Sequence, residues 1–381
     1  MIAETLLALG VLLIAAKIFG EFAERAGVIP LVGQILAGII VGPLLGIVLF
    51  NDFLEEFMGI GIVFILFTAG LGVKFEDIKD NIYTSSALAV AGGLLSFALG
   101  AIIGMVFFGD VLVALAIGII FISTGDAVIF TVLGRIGEMK SRRGKLVIAT
   151  TIADDIVGIL ALSFFTFFLV YGSFNVEDVF RLFLLALGFY LVILTVGMRI
   201  INKIVDLTSS TIDPHILFAI PIGIAFLLAV LSENLGLGIA TGSFLAGMAL
   251  AKNRLKDELI VPKVTMVAEG FVIPVFYALI GTLLVFRGID LLLVALLTGA
   301  AILGKFLGVI AFGKALGLRN EDSKLIGILM TPRGDYNFAV AQLVLTLGVF
   351  SAYTGLYTSI IFSIILTILL APFILKAVIG K

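Results

Sequence analysis

The chain has 381 residues, of which 61% are hydrophobic and only 13% carry a charge. Soluble domains contain about 25% charged residues, so this composition excludes a soluble globular protein and predicts a polytopic membrane protein. A net charge of −2 offers no basic arm for nucleic acid. The absence of cysteine excludes disulfides and thiolate metal sites, and no cofactor is expected.

Thirteen apolar stretches divide the chain, most of them close to the roughly 20 residues that one helix needs to cross a bilayer. We therefore predict an all-α polytopic membrane protein with 13 transmembrane helices. The predicted spans are 2–20, 29–48, 53–73, 82–108, 111–134, 143–171, 179–202, 213–233, 238–252, 262–286, 289–314, 322–348 and 354–378.

The basic residues predict the orientation of these spans. With this count, 20 of the 24 Lys and Arg residues fall on one side of the membrane. Because loops rich in Lys and Arg stay in the cytoplasm, the N-terminus is predicted to lie outside and the C-terminus in the cytoplasm. The expected location is the cell membrane of a prokaryote.

The spacing of the spans repeats along the chain. Adding about 207 to the numbering carries spans 1–6 onto spans 8–13. A shift by seven spans reverses the orientation in the membrane, so the two halves are predicted to be inverted-topology repeats of six helices each. Repeat one covers 1–171 and repeat two covers 213–381, with a linker helix at 179–202, and together they form a single membrane transporter unit.

Two spans are interrupted by polar, helix-breaking residues at matching positions. Span 5 contains Ser123–Asp126 (sequence STGD), and span 12 contains Thr331–Asp335 (sequence TPRGD). Paired interruptions in corresponding spans are the best sequence pointer to the binding site of a secondary transporter. The alternative is that Gly and Pro are simply common in transmembrane helices. We predict two broken helices that cross.

Span 6 contains two adjacent acids, Asp154 and Asp155, in the otherwise almost wholly apolar run 146–169. A carboxylate at the centre of a membrane helix costs roughly 2.5 kcal/mol or more, so the pair predicts a proton or cation site. Adjacent helical residues do not face each other. The two carboxylates can therefore have different roles.

Lys305 lies near the middle of span 11 and needs a carboxylate partner there. The candidate partners are Asp154, Asp155, Asp126, Asp335 and Glu269. An Asp154–Lys305 pair that only fixes helix packing is the alternative to a functional pair. Arg333 and Asp335 are expected to form a local ion pair that seals the crossing. Glu269 is interpreted as a packing, capping or proton-binding residue.

The segment 20–46, GEFAERAGVIPLVGQILAGIIVGPLLG, resembles the opening signature of the monovalent cation:proton antiporter superfamily. The resemblance continues through Ala-Asp-Asp at 153–155, Lys305 and Pro-Arg-Gly-Asp at 332–335, and it covers essentially the whole chain. The pair of adjacent aspartates resembles the pair found in the second branch of the superfamily, which includes the NapA-like electrogenic Na+/H+ antiporters.

This resemblance implies a secondary transporter, not an enzyme, that exchanges Na+ or Li+ for H+. Asp155 would bind Na+ or the competing proton, and Asp154 would pair with Lys305 and control a second proton. Ser123 and Thr124 would offer oxygen ligands. Asp126 would add a further acid to the same cation and proton site.

The resemblance also implies a homodimer in a lipid bilayer that works by elevator-type alternating access. The mobile core would comprise 82–171 and 289–381, and the remaining spans would form the dimerisation part. Electrogenic exchange would follow from two protons per Na+.

Several other functions fit parts of the pattern. A K+/H+ antiporter is one, although K+ efflux relatives tend to have Gln-Asp where this chain has Asp154 and Asp155. A Na+-coupled symporter on a related fold is another. An intramembrane aspartyl protease needs two membrane aspartates, but Ser123 stands where its Gly-x-Gly-Asp motif has the first glycine. A channel is the last alternative, and saturable, gradient-coupled exchange would exclude it.

Overall fold

The protein is described by a computed structural model. The residues that it describes are 2–73, 81–126, 129–130, 133, 137–138, 141–171, 176–208, 215–253 and 255–379, without the side chains of 170–183, 208 and 375–379. Every regular element within these ranges is helical. The basic loop residues Lys74, Lys79, Arg135, Lys140, Arg254 and Lys381, which contribute to the orientation argument, lie outside them.

The α-helices are numbered here in chain order. In the first half of the chain they are α1 (Ile2–Arg25), α2 (Pro30–Ile39), α3 (Asp52–Gly72), α4 (Ile82–Phe108), α5 (Val111–Ile120), α6 (Arg142–Tyr171), α7 (Val176–Val192) and α8 (Met198–Thr208). In the second half they are α9 (Ile216–Asn234), α10 (Ile239–Leu250), α11 (Val261–Val267), α12 (Ile273–Thr282), α13 (Leu291–Ala315), α14 (Asn320–Leu329), α15 (Asp335–Thr346) and α16 (Leu356–Ile379). Short π-helical segments adjoin some of them, at Ile40–Leu44, Ile193–Gly197, Lys256–Ile260 and Ala268–Val272.

Among the described residues, nine helices are long and apolar enough to cross a membrane. Three shorter apolar helices, Pro30–Leu44, Val111–Ile120 and Ile239–Leu250, accompany them. The chain is therefore a multi-pass membrane protein, as the composition predicts.

Local sequence explains where several helices begin and end. Asp110 and Asp290 precede α5 and α13, and each side chain accepts hydrogen bonds from two backbone N–H groups of the first turn. Such caps satisfy donors that a helix end leaves without an intrahelical partner. Gly109 ends α4 with a φ of 62°, a left-handed conformation that glycine adopts without steric cost.

The chain divides into two compact units. The larger unit contains Met1–Phe50, Glu76–Gly158 and Tyr277–Lys381, and the smaller unit contains Asn51–Phe75 and Ile159–Phe276. Both interrupted segments that the sequence predicts lie in the larger unit. The first follows the end of α5 at Ile120, and the second lies between α14 and α15.

Candidate functional site

Two stretches of non-helical backbone cross in the larger unit, at Gly125 and Gly334. The Gly125 N–H donates a 2.9 Å hydrogen bond to the Pro332 carbonyl. A Cβ on Gly334 would lie 2.6 Å from the Gly125 Cα, and a Cβ on Gly125 would lie 2.8 Å from the Gly334 Cα. Only glycine at both positions lets the backbones approach this closely. The crossing that the sequence predicts is therefore present in the structure.

Arg333 fixes this crossing with its guanidinium group. Its Nη1 donates to the Ser123 carbonyl at 2.7 Å, and its Nη2 donates to the Ala301 carbonyl at 2.8 Å and to Ser96 Oγ at 3.1 Å. The Arg333 backbone N–H donates to Thr367 Oγ1 at 2.9 Å. Non-helical backbone in a membrane is tolerated when protein groups satisfy its polar atoms. A buried arginine supplies several of those donors here.

Asn337, in the first turn of α15, forms hydrogen bonds with both crossing segments. Its Nδ2 donates to the Ile120 carbonyl at 2.6 Å and to the Ser123 carbonyl at 3.0 Å. Its Oδ1 accepts from the Gly334 N–H at 2.7 Å. The Ser123 carbonyl therefore accepts from both Asn337 and Arg333.

Asp154 is fully buried, with 0% of its surface exposed. Its Oδ1 accepts a hydrogen bond from Lys305 Nζ, and its Oδ2 accepts one from Thr124 Oγ1 at 2.7 Å. Two glycines of α4 make room for this pair. A Cβ at Gly92 would lie 3.0 Å from Lys305 Cδ, and a Cβ at Gly93 would lie 3.7 Å from Asp154 Oδ1.

Asp155 has a different environment from its neighbour. It retains 6% exposure, and its Oδ1 accepts a 2.7 Å hydrogen bond from Ser123 Oγ. The side chain of Asp126 is within hydrogen-bonding reach of Asp155. A hydrogen bond between two carboxyl groups requires that one of them carries a proton. Asp126 itself is only partly buried.

Asp335 is the first residue of α15, and it accepts a hydrogen bond from the Tyr277 hydroxyl group. The Tyr277 ring packs edge-on against Phe338, with 5.6 Å between the ring centroids. Arg333 has the neutral partners given above, so the predicted ion pair between Arg333 and Asp335 is wrong. The Arg333 guanidinium group is directed to the Ser123 and Ala301 carbonyls, whereas the Asp335 side chain is directed to Tyr277.

The two interrupted segments share a further property. Helical backbone begins at Asp126 and at Asp335, and each aspartate directly follows a crossing glycine, Gly125 or Gly334. A carboxylate in the first turn of a helix is stabilised by the partial positive charge of the helix N-terminus. Both halves of the chain thus place an acid next to the crossing.

The structure brings together most of the predicted site residues, all of them in the larger unit. The group comprises Asp126, Asp154, Asp155, Ser123, Thr124, Lys305, Arg333 and Asp335. Glu269 is exposed and lies in the π-helical segment Ala268–Val272 of the smaller unit. The described part of the chain contains no group of three or more His, Cys, Asp or Glu side chains arranged to hold a metal ion.

Sequence reasoning missed the neutral residues that support this group. These are Asn337 and Ser96, which complete the crossing, and Gly92 with Gly93, which lie against Lys305 and Asp154 respectively. The available signal was a Gly-Gly pair and Ser96 in span 4, and an Asn two residues after Asp335. Each is unremarkable alone and gains meaning only from its neighbours in space.

Comparison with known proteins identifies the family of this chain. The family model described as "Sodium/hydrogen exchanger, transmembrane" matches residues 9–381. The probable Na+/H+ antiporter GerT of Bacillus cereus is 26% identical over 344 residues, which cover 90% of this chain and 91% of GerT. The Na+/H+-K+ antiporter GerN of the same organism is 27% identical over 346 residues, which cover 90% of this chain and 88% of GerN.

A solved structure shows the same fold. The sodium proton antiporter MjNhaP1 from Methanocaldococcus jannaschii, determined at pH 8, superposes with a TM-score of 0.80. It covers 99% of both chains at 18% sequence identity. A match over nearly the whole chain, together with buried carboxylates beside two crossing segments, makes this protein a member of the sodium/hydrogen exchanger family of cation:proton antiporters.

Proposed function

We propose that the protein exchanges Na+ or Li+ for H+ across the cell membrane, with Asp155 as the carboxylate that binds either ion. The observation that carries the proposal is the difference between the two adjacent aspartates. Both oxygens of Asp154 accept hydrogen bonds from protein donors, one of them cationic, whereas Asp155 accepts one from a neutral hydroxyl group and retains some exposure.

Competition at one carboxylate gives coupled exchange. A buried carboxylate is costly in the membrane unless a proton or a cation neutralises it. If the binding site changes sides only when Asp155 is neutralised, each cation that leaves must be replaced by a proton. Oxygen ligands from Asp155, Ser123 and Asp126 suit a small, hard cation such as Na+.

The charges near Asp155 support a second proton in each cycle. The site contains four carboxyl groups, from Asp126, Asp154, Asp155 and Asp335, but only two cationic side chains, from Lys305 and Arg333. Two positive charges are then needed for neutrality. We infer that protonation of Asp154 releases Lys305, so that two protons exchange for one Na+. Such a cycle moves one net charge, worth about 2.3 kcal/mol per 100 mV.

The architecture predicted from the sequence completes the proposal. Thirteen spans in two inverted repeats are proposed, and the nine long helices, three shorter apolar helices and interrupted α14–α15 pair of the described residues support this count. The mobile core would comprise 82–171 and 289–381, and the remaining spans would join two copies as a homodimer. Transport would be of the elevator type, with the N-terminus outside and the C-terminus in the cytoplasm.

K+/H+ exchange is a second candidate function. The relative GerN is described as a Na+/H+-K+ antiporter, so a K+-carrying mode is compatible with this family. A carboxylate with hydroxyl ligands can bind either cation, and the two modes differ in the size of the ion that fits.

The test is proton movement in proteoliposomes that contain the purified protein, a proton gradient and a pH-sensitive dye. Na+, Li+ and K+ are added in turn. Dequenching with Na+ or Li+ supports the proposal, and a response to K+ alone supports the second candidate. No response to any cation across several pH values would overturn both and favour a symporter.

A further inference from the structure

The side chain of Tyr336 lies directly beside the carboxylate site. A Cβ built on Gly158 would lie 2.8 Å from Tyr336 Cζ and 3.0 Å from its hydroxyl oxygen. Gly158 is three residues after Asp155, and residues three apart on a helix have Cβ atoms about 5–6 Å apart. The phenol group therefore packs on bare backbone one turn from the carboxylate.

Ser123 lies at the same place. The Cβ position of Gly158 is 3.1 Å from Ser123 Cβ, so the Tyr336 hydroxyl oxygen and Ser123 both contact this point. Ser123 Oγ in turn donates to Asp155 Oδ1. A side chain at Gly158 would clash, because the Tyr336 phenol group and Ser123 occupy the position of its Cβ atom.

Two neutral oxygen atoms of the segment 123–124 already have protein partners. The Ser123 carbonyl accepts hydrogen bonds from Arg333 and Asn337, and the Thr124 hydroxyl donates to Asp154. A cation that has lost part of its hydration shell needs neutral oxygens beside the carboxylate, and their number and positions determine which ion size is preferred.

The Tyr336 ring is restrained by its surroundings. The residue is 5% exposed and lies between Asp335 and Asn337, both of which are held by hydrogen bonds. Its backbone follows the Gly334 crossing directly. A rigid phenol group can discriminate between ions of different size because it does not move to fit them.

We propose that Tyr336 is a selectivity-determining residue, whose hydroxyl group defines the size of the cation space beside Asp155. This inference rests on the proposed function, since it assigns a property of the same site. It applies to monovalent cations that compete with H+ at Asp155.

The experiment compares Tyr336→Phe with Tyr357→Phe in the proteoliposome assay. Tyr357 is a matched control because it is also buried, and its hydroxyl group donates to Gln342 Oε1 at 2.8 Å instead of facing Gly158. The readout is the ratio of the KM values for Na+ and Li+, with K+ as a competitor of Na+. We expect Tyr336→Phe to change this ratio about fivefold, the effect of one lost polar contact, while Tyr357→Phe leaves it unchanged.

A second variant tests the same inference, and a second readout keeps it testable if a variant no longer transports cations. Gly158→Ala keeps the hydroxyl group but displaces it, and we expect the ratio to change here as well. If a variant transports no cation, the concentrations of Na+ and Li+ that half-saturate thermal stabilisation of the purified protein replace the KM values.

Unchanged ratios in both Tyr336→Phe and Gly158→Ala would overturn the inference. A wild-type protein that responds to no cation would instead overturn the proposed function, so the two failures are distinguishable.

Discussion

Gly125 and Gly334 touch through their backbones, and a Cβ on Gly334 would lie only 2.6 Å from the Gly125 Cα. Such a distance is shorter than real Cβ contacts, and both partners are backbone atoms that no rotamer change can move aside. The crossing therefore depends on the absence of two side chains. It positions Asp126 and Asp335, which follow the two glycines directly.

We expect Gly334→Ala to destabilise the protein by about 1–3 kcal/mol or more, because overpacking at a rigid contact forces the backbones apart. Thermal unfolding of the purified protein in detergent measures this effect. Gly299→Ala is the matched control, since Gly299 lies in α13 with nothing within 4 Å of a Cβ. It should be neutral or slightly stabilising. Equal melting temperatures for the two variants would contradict the crossing.

Asp155→Asn should reduce cation-dependent proton movement to background, because the amide keeps the shape of the carboxylate but has no negative charge for which a proton and Na+ can compete. Asp290→Asn is the control. Asp290 caps α13 through its Oδ1, and asparagine is an equally good cap. Retained exchange in Asp155→Asn would assign the ion site to another residue.

Lys305→Gln should lose electrogenic transport, because Asp154 then has no cationic partner to release. Its stability should fall by about 3–5 kcal/mol, the cost of leaving one charge of a buried pair without its counterion. Measured current and thermal unfolding test the two effects.

The double variant Asp154→Asn/Lys305→Gln should recover much of the lost stability, since it removes both charges together. For the single variant, if Lys305→Gln carried the same current as the wild type, the proposed role of the Asp154–Lys305 pair would be contradicted.

Asn337→Ala should destabilise the protein by about 1–3 kcal/mol because the Ile120 carbonyl and the Gly334 N–H lose their partner in a buried environment. Asn320→Ala changes an exposed asparagine in the first turn of α14 and should have little effect. Thermal unfolding compares them. Equal melting temperatures for Asn337→Ala and Asn320→Ala would contradict this prediction.

The pH dependence of exchange tests the competition at Asp155. Where Asp155 is mainly protonated, lowering the pH by one unit raises the apparent KM for Na+ about tenfold, because ten times more protons compete. Where it is mainly ionised, the KM becomes independent of pH. Initial rates at several Na+ concentrations and pH values measure this, and a KM that is constant at every pH would contradict a shared site.

The charged part of the site was predictable because charge in a membrane is costly. Lys305 needed an acid, and the structure pairs it with Asp154, one of five candidates from the sequence. The interruptions at 123–126 and 331–335 were predictable because glycine, proline and polar residues rarely cluster in an apolar helix by chance.

The neutral part of the site was not predictable for the opposite reason. Asn337, Ser96 and Tyr336 carry no charge, so the sequence pattern gives them less weight than the acids and bases. Their importance comes from which carbonyl or backbone they meet, and that depends on how distant helices pack. The expected contact between Arg333 and Asp335 was wrong for the same reason, since closeness in sequence did not determine the direction of either side chain.

Ser123 joins two functions in one residue. Its carbonyl is held by Arg333 and Asn337 from the second half of the chain, while its hydroxyl group holds Asp155 in the first half. A small displacement of α15 would therefore reach the proposed ion-binding carboxylate through a single amino acid. By the same contacts, a change in ion occupancy at Asp155 would be transmitted through Ser123 to the helix that carries Tyr336.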